Sequence, residues 1–242
     1  MKHVTALAAV SVVAASMVHA ETSTKPLIVV ELFTSQGCYS CPPADKILTK
    51  LAAQDDVLAL SLHVDYWDYL GWKDKFAIKK FGERQSSYNA QIMKRSRRVT
   101  PQMIFNGVAE VAGGSGGSVA KIEKNVKSMR NWKEGATLDM VRSGQNLTMT
   151  LSAKSPDMGT AEINLVQYTP SEIVRIDRGE NAGKTIEYTN IVTSFDTVAK
   201  WDTSKKAKVS VNLTGAGQYA VIVQGKRFGP VMVARRVPAL SN

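Results

Sequence analysis

The sequence predicts an α/β domain over residues 21–133 and an all-β antiparallel sandwich over residues 134–242. Three observations carry that expectation. Before about residue 133, near-continuous apolar runs alternate with stretches of helical periodicity. After it, apolar residues recur at every second position. Two cysteines, Cys38 and Cys41, sit between the first apolar run and the first helical stretch.

Residues 25–33 (KPLIVVELF) read as a strand buried on both faces. Residues 42–53 place Ala44, Ile47, Leu48 and Leu51 at helical spacing, with two prolines where a first turn tolerates them. Residues 57–65 (VLALSLHVD) are a second buried strand. Residues 74–93 form an amphipathic basic helix with Phe76, Phe81, Tyr88 and Ile92 on one face. Pro101 opens a third strand at residues 102–105, and Asn106-Gly107 is a strong hairpin signal before residues 108–112 return. Ser118 is the expected N-cap of a helix over residues 119–129. The order is β-α-β-α-β-β-α. From Gly135 onward the alternating sets include Leu147/Met149/Leu151, Ala161/Ile163/Leu165, Val209/Val211/Leu213 and Tyr219/Val221/Val223. Seven or eight such strands between turn residues point to a sandwich.

The chain has 242 residues, 44% hydrophobic and 21% charged, an ordinary globular composition. Residues 1–20 read as a secretory signal: a basic start at Lys2 and His3, an apolar run over residues 4–18, and small residues Val18 and Ala20 around a cleavage point. The expected location is therefore periplasmic or secreted, with no membrane span in the mature chain. Loss of Lys2 lowers the formal net charge from +10 to +9, and His63 becomes the sole histidine. That count excludes three-histidine, HExxH and four-cysteine metal sites. Residues 113–117 (GGSGG) match a GxSxG elbow formally, but the one histidine precedes them.

The chemistry therefore starts at Cys38-Tyr39-Ser40-Cys41. A thiolate at a helix N-terminus is stabilised by free backbone N–H groups and the helix dipole. Cys38 is the expected nucleophile, and Cys41 resolves the mixed disulfide. Two other readings are a structural bridge, favoured by an oxidising compartment, and a metal site. A bridge closing so few residues removes little unfolded-state entropy. Thr100-Pro101 is a candidate cis peptide at the mouth of a strand.

This order of elements is similar to the thioredoxin fold over residues 25–131. In that fold a cis proline sits beside the CxxC and leaves a backbone edge free for substrate. VVELFTSQGCYSC resembles the strand and active-site loop of periplasmic Dsb-type oxidoreductases, which implies that Glu31 relays a proton to the deeper cysteine. Glu31 lies seven residues before Cys38, one more than is usual there. ELFTSQGCYSCPPAD, LHVDYWDYLGWKD, RRVTPQMIFNG and RGENAGKT together resemble a family of exported thioredoxin-like proteins defined as a domain of unknown function. The resemblance spans most of the mature chain. That family is defined by fold and not by a substrate; the Cys38–Cys41 pair in its thioredoxin-like setting is what points to a thiol-disulfide oxidoreductase in which Pro101 aligns the partner, with no organic cofactor. Its partners would be cysteine-containing exported proteins or a membrane electron donor or acceptor. Tyr39-Ser40 carries no positive charge, which argues against an extreme oxidant.

Around this centre, Tyr39, Ser40, Thr100, Trp67 and Arg98 are the candidate substrate contacts. Trp67 belongs to an aromatic stretch, residues 65–72, beyond the second strand, where α/β sheets bind ligands. Its alternative is packing between the two halves. Nine Lys or Arg against two acids over residues 73–98 set up a positive field. Arg97 and Arg98 immediately precede the loop that holds the proline. Nucleic acid is not expected, since no binding motif accompanies the charge. A rival reading is a Cu(I) metallochaperone using Cys38 and Cys41 with His63 or Met103. His63 itself reads as a core histidine. Another rival is a binding module with a vestigial CxxC. Residues 179–185 (GENAGKT) fall one short of a Walker A loop and read as a turn. The sequons at Asn146 and Asn212 lie in strand-like stretches.

Overall fold

A computed structural model describes residues 26–113, 116–155 and 158–239. The expected signal segment and part of the GGSGG stretch lie outside these residues. The apolar run after Pro26 forms β1 (Ile28–Thr34), buried along its whole length. α1 (Pro42–Ala52) begins on its two prolines, whose missing N–H groups cost nothing in a first turn. β2 (Val57–His63) is again wholly buried. A 3-10 turn (Asp68–Leu70), α2 (Lys79–Gln91), β3 (Gln102–Phe105), β4 (Ala109–Ala112) and α3 (Gly116–Met129) follow. This is the β-α-β-α-β-β-α order expected for the first half.

Two helix starts differ from expectation. α2 starts five residues later than expected, because Asp74 is used in a loop. Its Oδ1 accepts the Phe76 N–H at 2.9 Å and its Oδ2 accepts the Gln36 N–H at 2.8 Å. α3 starts before Ser118, whose hydroxyl donates to the Ala112 carbonyl from inside the helix rather than capping it. The Asn106-Gly107 hairpin forms with both residues at positive φ, 44° and 70°, the combination a type I′ turn needs.

The second half contributes β5 (Ala136–Ser143), β6 (Asn146–Ala153), β7 (Thr160–Arg175), β8 (Thr185–Asp202), β9 (Ala207–Asn212), β10 (Gln218–Gly225) and β11 (Val231–Arg236). They do not form a sandwich standing apart from the first half. Four of them extend the first sheet, giving the eight-stranded order β11-β10-β7-β8-β2-β1-β3-β4. The seam is a parallel contact at Ser61↔Ile191, reinforced by the Asn190 side chain donating to the Ala59 carbonyl at 2.8 Å. β5, β6 and β9 make a separate three-stranded sheet. It packs Leu138, Leu147, Met149 and Leu151 against Ile163, Val221, Val223 and Val233. So two layers of sheet do meet, but one of them is the far end of the shared sheet.

Strand alternation divides the first half into two faces. Ile28, Val30 and Leu32 pack under α1 and α3 with Leu48 and Ile122. Val29 and Phe33 face α2 with Phe81 and Tyr88. This division decides which buried side chains lie near the cysteines.

Candidate functional site

β1 ends at Thr34, and a three-residue loop delivers Cys38 to the start of α1. Cys41 is the N-cap residue, and its carbonyl accepts from Ala44 and Asp45 N–H at 2.8 and 3.1 Å. Cys38 and Cys41 are joined in a disulfide. Cys41 is fully buried and Cys38 is 3% exposed, whereas Tyr39 between them is 68% exposed. Gly37 sits at a close approach: a Cβ there would lie 3.2 Å from the Trp67 carbonyl oxygen.

The structure brings most of the expected contact residues together. Ser40 Oγ lies 3.6 Å from Cys38 Sγ and donates to the Thr100 carbonyl at 3.4 Å. The Thr100-Pro101 peptide is cis, and Pro101 is buried. Trp67 Nε1 donates to Thr100 Oγ1 at 2.6 Å, and its ring stacks with the exposed Tyr69. Arg98 is exposed and lies over the Tyr66 ring, 4.5 Å from its centroid.

Glu31 is not part of this assembly. It is an odd-numbered β1 residue, so it points to the α2 face, away from α1 and the cysteines. There Arg84 binds it with two donors, Nε at 2.5 Å and Nη2 at 2.9 Å, and Tyr88 donates its hydroxyl at 2.6 Å. Gln224 closes the network by accepting from Arg84 at 3.0 Å and donating to the Tyr88 hydroxyl at 2.9 Å. Burial opposes the charge on Arg84, but Glu31, Tyr88 and Glu162 together outweigh it and hold the guanidinium protonated. A carboxylate closed in this way is a poor proton carrier, so the relay expected of Glu31 has no route.

The buried acid on the helix that Cys41 caps is Asp45, which sequence reasoning missed. It lies one helical turn after Cys41, so the two side chains share a face of α1. It is 3% exposed. Thr34 donates to its Oδ1 at 2.8 Å. Among the described residues its Oδ2 has no hydrogen-bond partner. Burial pushes its carboxyl up to about 7, partly offset by His63 and by the Thr34 hydrogen bond. The signal was present in the sequence: a charged residue beside Ala44 and Leu48 on the apolar face of a helix.

His63 lies buried at the end of β2, with Nδ1 2.7 Å from Asp74 Oδ2. Its ring packs edge-on to Tyr188, with centroids 4.8 Å apart. Burial, then the charges of Asp45 and Asp74, pushes the Tyr188 hydroxyl up. Met103 packs in the core under α1 and α3. Among the described residues no three His, Cys, Asp or Glu side chains converge as metal ligands, so Cys38, Cys41 and His63 do not make a three-ligand set.

The segment after β7, which the sequence presents only as a turn, also reaches the loop. Asn181 is fully buried and donates to the carbonyls of Gln36 and Cys38, both at 2.9 Å. No sequence signal links residues so far apart.

A mixed α/β protein whose helix-capping CxxC disulfide is enclosed by a cis-proline loop and a distant β-turn is the class these elements define. The chain belongs to the family described as "Protein of unknown function (DUF1223)", whose profile matches residues 29–224. A 53-residue stretch is 38% identical to a protein named "Probable Thioredoxin" from Archaeoglobus fulgidus. That stretch is 22% of this chain and 58% of that protein's length. The crystal structure of an Agrobacterium tumefaciens protein aligns with a TM-score of 0.74 and 30% identity, over 91% of this chain and 100% of that one. HBP35 of Porphyromonas gingivalis aligns at 0.61 and 14% identity, over 90% and 76% of the two chains, and so shares the fold. Among the described residues no helix is long and apolar enough to cross a membrane.

Proposed function

We propose that this protein is an exported thiol-disulfide oxidoreductase built on a thioredoxin-like first half, acting on cysteines of other exported proteins. The observation that carries the reading is the CxxC disulfide at the N-cap of α1, where the helix dipole favours a thiolate, although Pro42 and Pro43 leave the first turn without free N–H groups.

In the reducing direction, the Cys38 thiolate attacks one sulfur of a partner disulfide. The partner S–S bond breaks, its other sulfur leaves as a thiolate, and Cys38 is held in a mixed disulfide. Cys41 passes its proton to the Asp45 carboxylate and attacks the Cys38 sulfur. The second partner thiolate leaves, and the pair is oxidised by two electrons as the partner is reduced. The oxidising direction is the reverse, with protonated Asp45 returning its proton. A carboxyl held near 7 can act in both directions at neutral pH. Trp67, Tyr39 and the Thr100-Pro101 edge form the wall against which a partner segment lies, and no organic cofactor is needed.

The test is the redox equilibrium of the Cys38–Cys41 pair against a glutathione series. A potential near or above about −200 mV marks an oxidant or isomerase, and one near about −270 mV a reductase. A pair still oxidised well below about −300 mV is a structural bridge, and the proposal fails.

A further inference from the structure

The turn between β7 and β8 is folded onto the CxxC loop from the other half of the chain. Ile176 and Lys184 pair across its base, the Ile176 N–H donating at 2.9 Å. Gly179 holds φ at +76°, and a Cβ there would meet the Leu70 carbonyl oxygen at 3.2 Å, so the turn is seated on the residue 70–72 segment. Asn181 then ties the turn to Gln36 and Cys38 by two side-chain hydrogen bonds. These contacts leave Glu180 beside the cysteine pair. Its Oε2 accepts the Tyr39 N–H at 3.2 Å, the amide directly after Cys38. Lys184 donates to Asn181 Oδ1 at 2.8 Å and lies 4.8 Å from the Tyr39 ring centroid.

We propose that Glu180 is a positioning residue that sets the reduction potential of the Cys38–Cys41 pair, with Lys184 as its counterweight. The inference rests on the redox reading above. In the disulfide form the loop carries one negative charge, on Glu180. In the dithiol form a Cys38 thiolate places a second beside it, and the Tyr39 N–H is already engaged by the carboxylate. A carboxylate held on the amide next to Cys38 disfavours the thiolate, so Glu180 stabilises the disulfide and makes the pair more reducing. Lys184 acts in the opposite sense. Glu180 and Lys184 are both exposed, so the effect is screened by salt. The buried Asn181 maintains the geometry, because it binds main-chain carbonyls that the loop cannot withdraw.

The experiment compares the wild-type chain with Glu180→Gln and Lys184→Gln in glutathione buffers, trapping thiols by alkylation. The reaction is protein dithiol plus glutathione disulfide giving protein disulfide plus two glutathione thiols. Glutamine keeps the acceptor for Tyr39 and removes the charge. Glu180→Gln is expected to lower the equilibrium constant for disulfide formation about fivefold, roughly 20 mV more oxidising at about 30 mV per tenfold. Lys184→Gln is expected to shift it the other way, and both shifts shrink as salt is raised. If the wild type equilibrates normally and Glu180→Gln stays within about 1.5-fold of it, the inference is overturned and the redox reading stands. If the wild type remains oxidised through the whole series, the redox reading falls and takes the inference with it.

Discussion

The two faces of the sheet at β1 each bury a carboxyl group, and they treat it oppositely. Glu31, on the α2 face, receives two donors from Arg84 and one from Tyr88. Asp45, on the α1 face, receives one donor, from Thr34, and keeps an oxygen without a partner among the described residues. Both are nearly inaccessible to solvent. A buried carboxyl group with a full set of cationic and hydroxyl donors is a structural element. One with few donors holds its proton to higher pH, and that makes it useful for chemistry. Burial alone therefore does not identify a proton-relay acid; the donor count around it does.

The comparison is broken most directly by removing the cation on the closed side. Arg84→Ala leaves Glu31 buried and unpaired, and is expected to cost about 3–5 kcal/mol of stability in chemical denaturation. A loss below about 1 kcal/mol would mean that the network is a solvated pair after all.

The open side is sharpened by pH. The unfolded chain releases the Asp45 proton near 3.8 and the folded chain holds it to about 7. Between those values the unfolded state binds fewer protons, so stability falls as pH rises. That contribution is fully present below pH 3.8 and lost above about 7, with a ceiling of about 4 kcal/mol at 1.36 kcal/mol per unit. Asp45→Asn should flatten this part of the stability profile and slow the resolving step by Cys41. An unchanged slope would remove Asp45 from its assigned place.

The smallest effect is expected at the surface. Lys80 meets Asp196 at 2.6 Å with both side chains more than half exposed. Lys80→Ala should change stability by less than about 1 kcal/mol. A larger loss would indicate that α2 depends on surface charge as well as on its buried Arg84.

The first half was legible because its signals are short-range. Periodicity, the Asn106-Gly107 turn and the prolines of α1 all act within a few residues, and the elements appear in the expected order. The start of α2 was not legible, because Asp74 spends its side chain on Gln36, His63 and Phe76 instead of on the helix. The alternating strands of the second half were legible as strands but not in their pairing. Period two records which side chains face a core; it does not say which sheet edge a strand will join. β8 joins β2 through a single register pair, Ser61↔Ile191, with no turn between the partners to announce it.

The candidate site divides in the same way. Cys38 and Cys41 at a helix start, followed by Thr100-Pro101 at a strand start, are local patterns, and the sequence alone located them. Glu31 faces away from the cysteines because successive strand residues face opposite layers, whereas Asp45 sits on the buried face of α1. Glu31 and Asp45 are equally plain as letters. Only the packing of α1 and α2 on opposite faces gave one a guanidinium and left the other nearly alone. The arrival of Asn181 and Glu180 at the CxxC loop belongs wholly to the tertiary structure, because it joins residues more than 140 positions apart in the chain. Contacts of that span are set by how the sheet closes, and no local propensity encodes them.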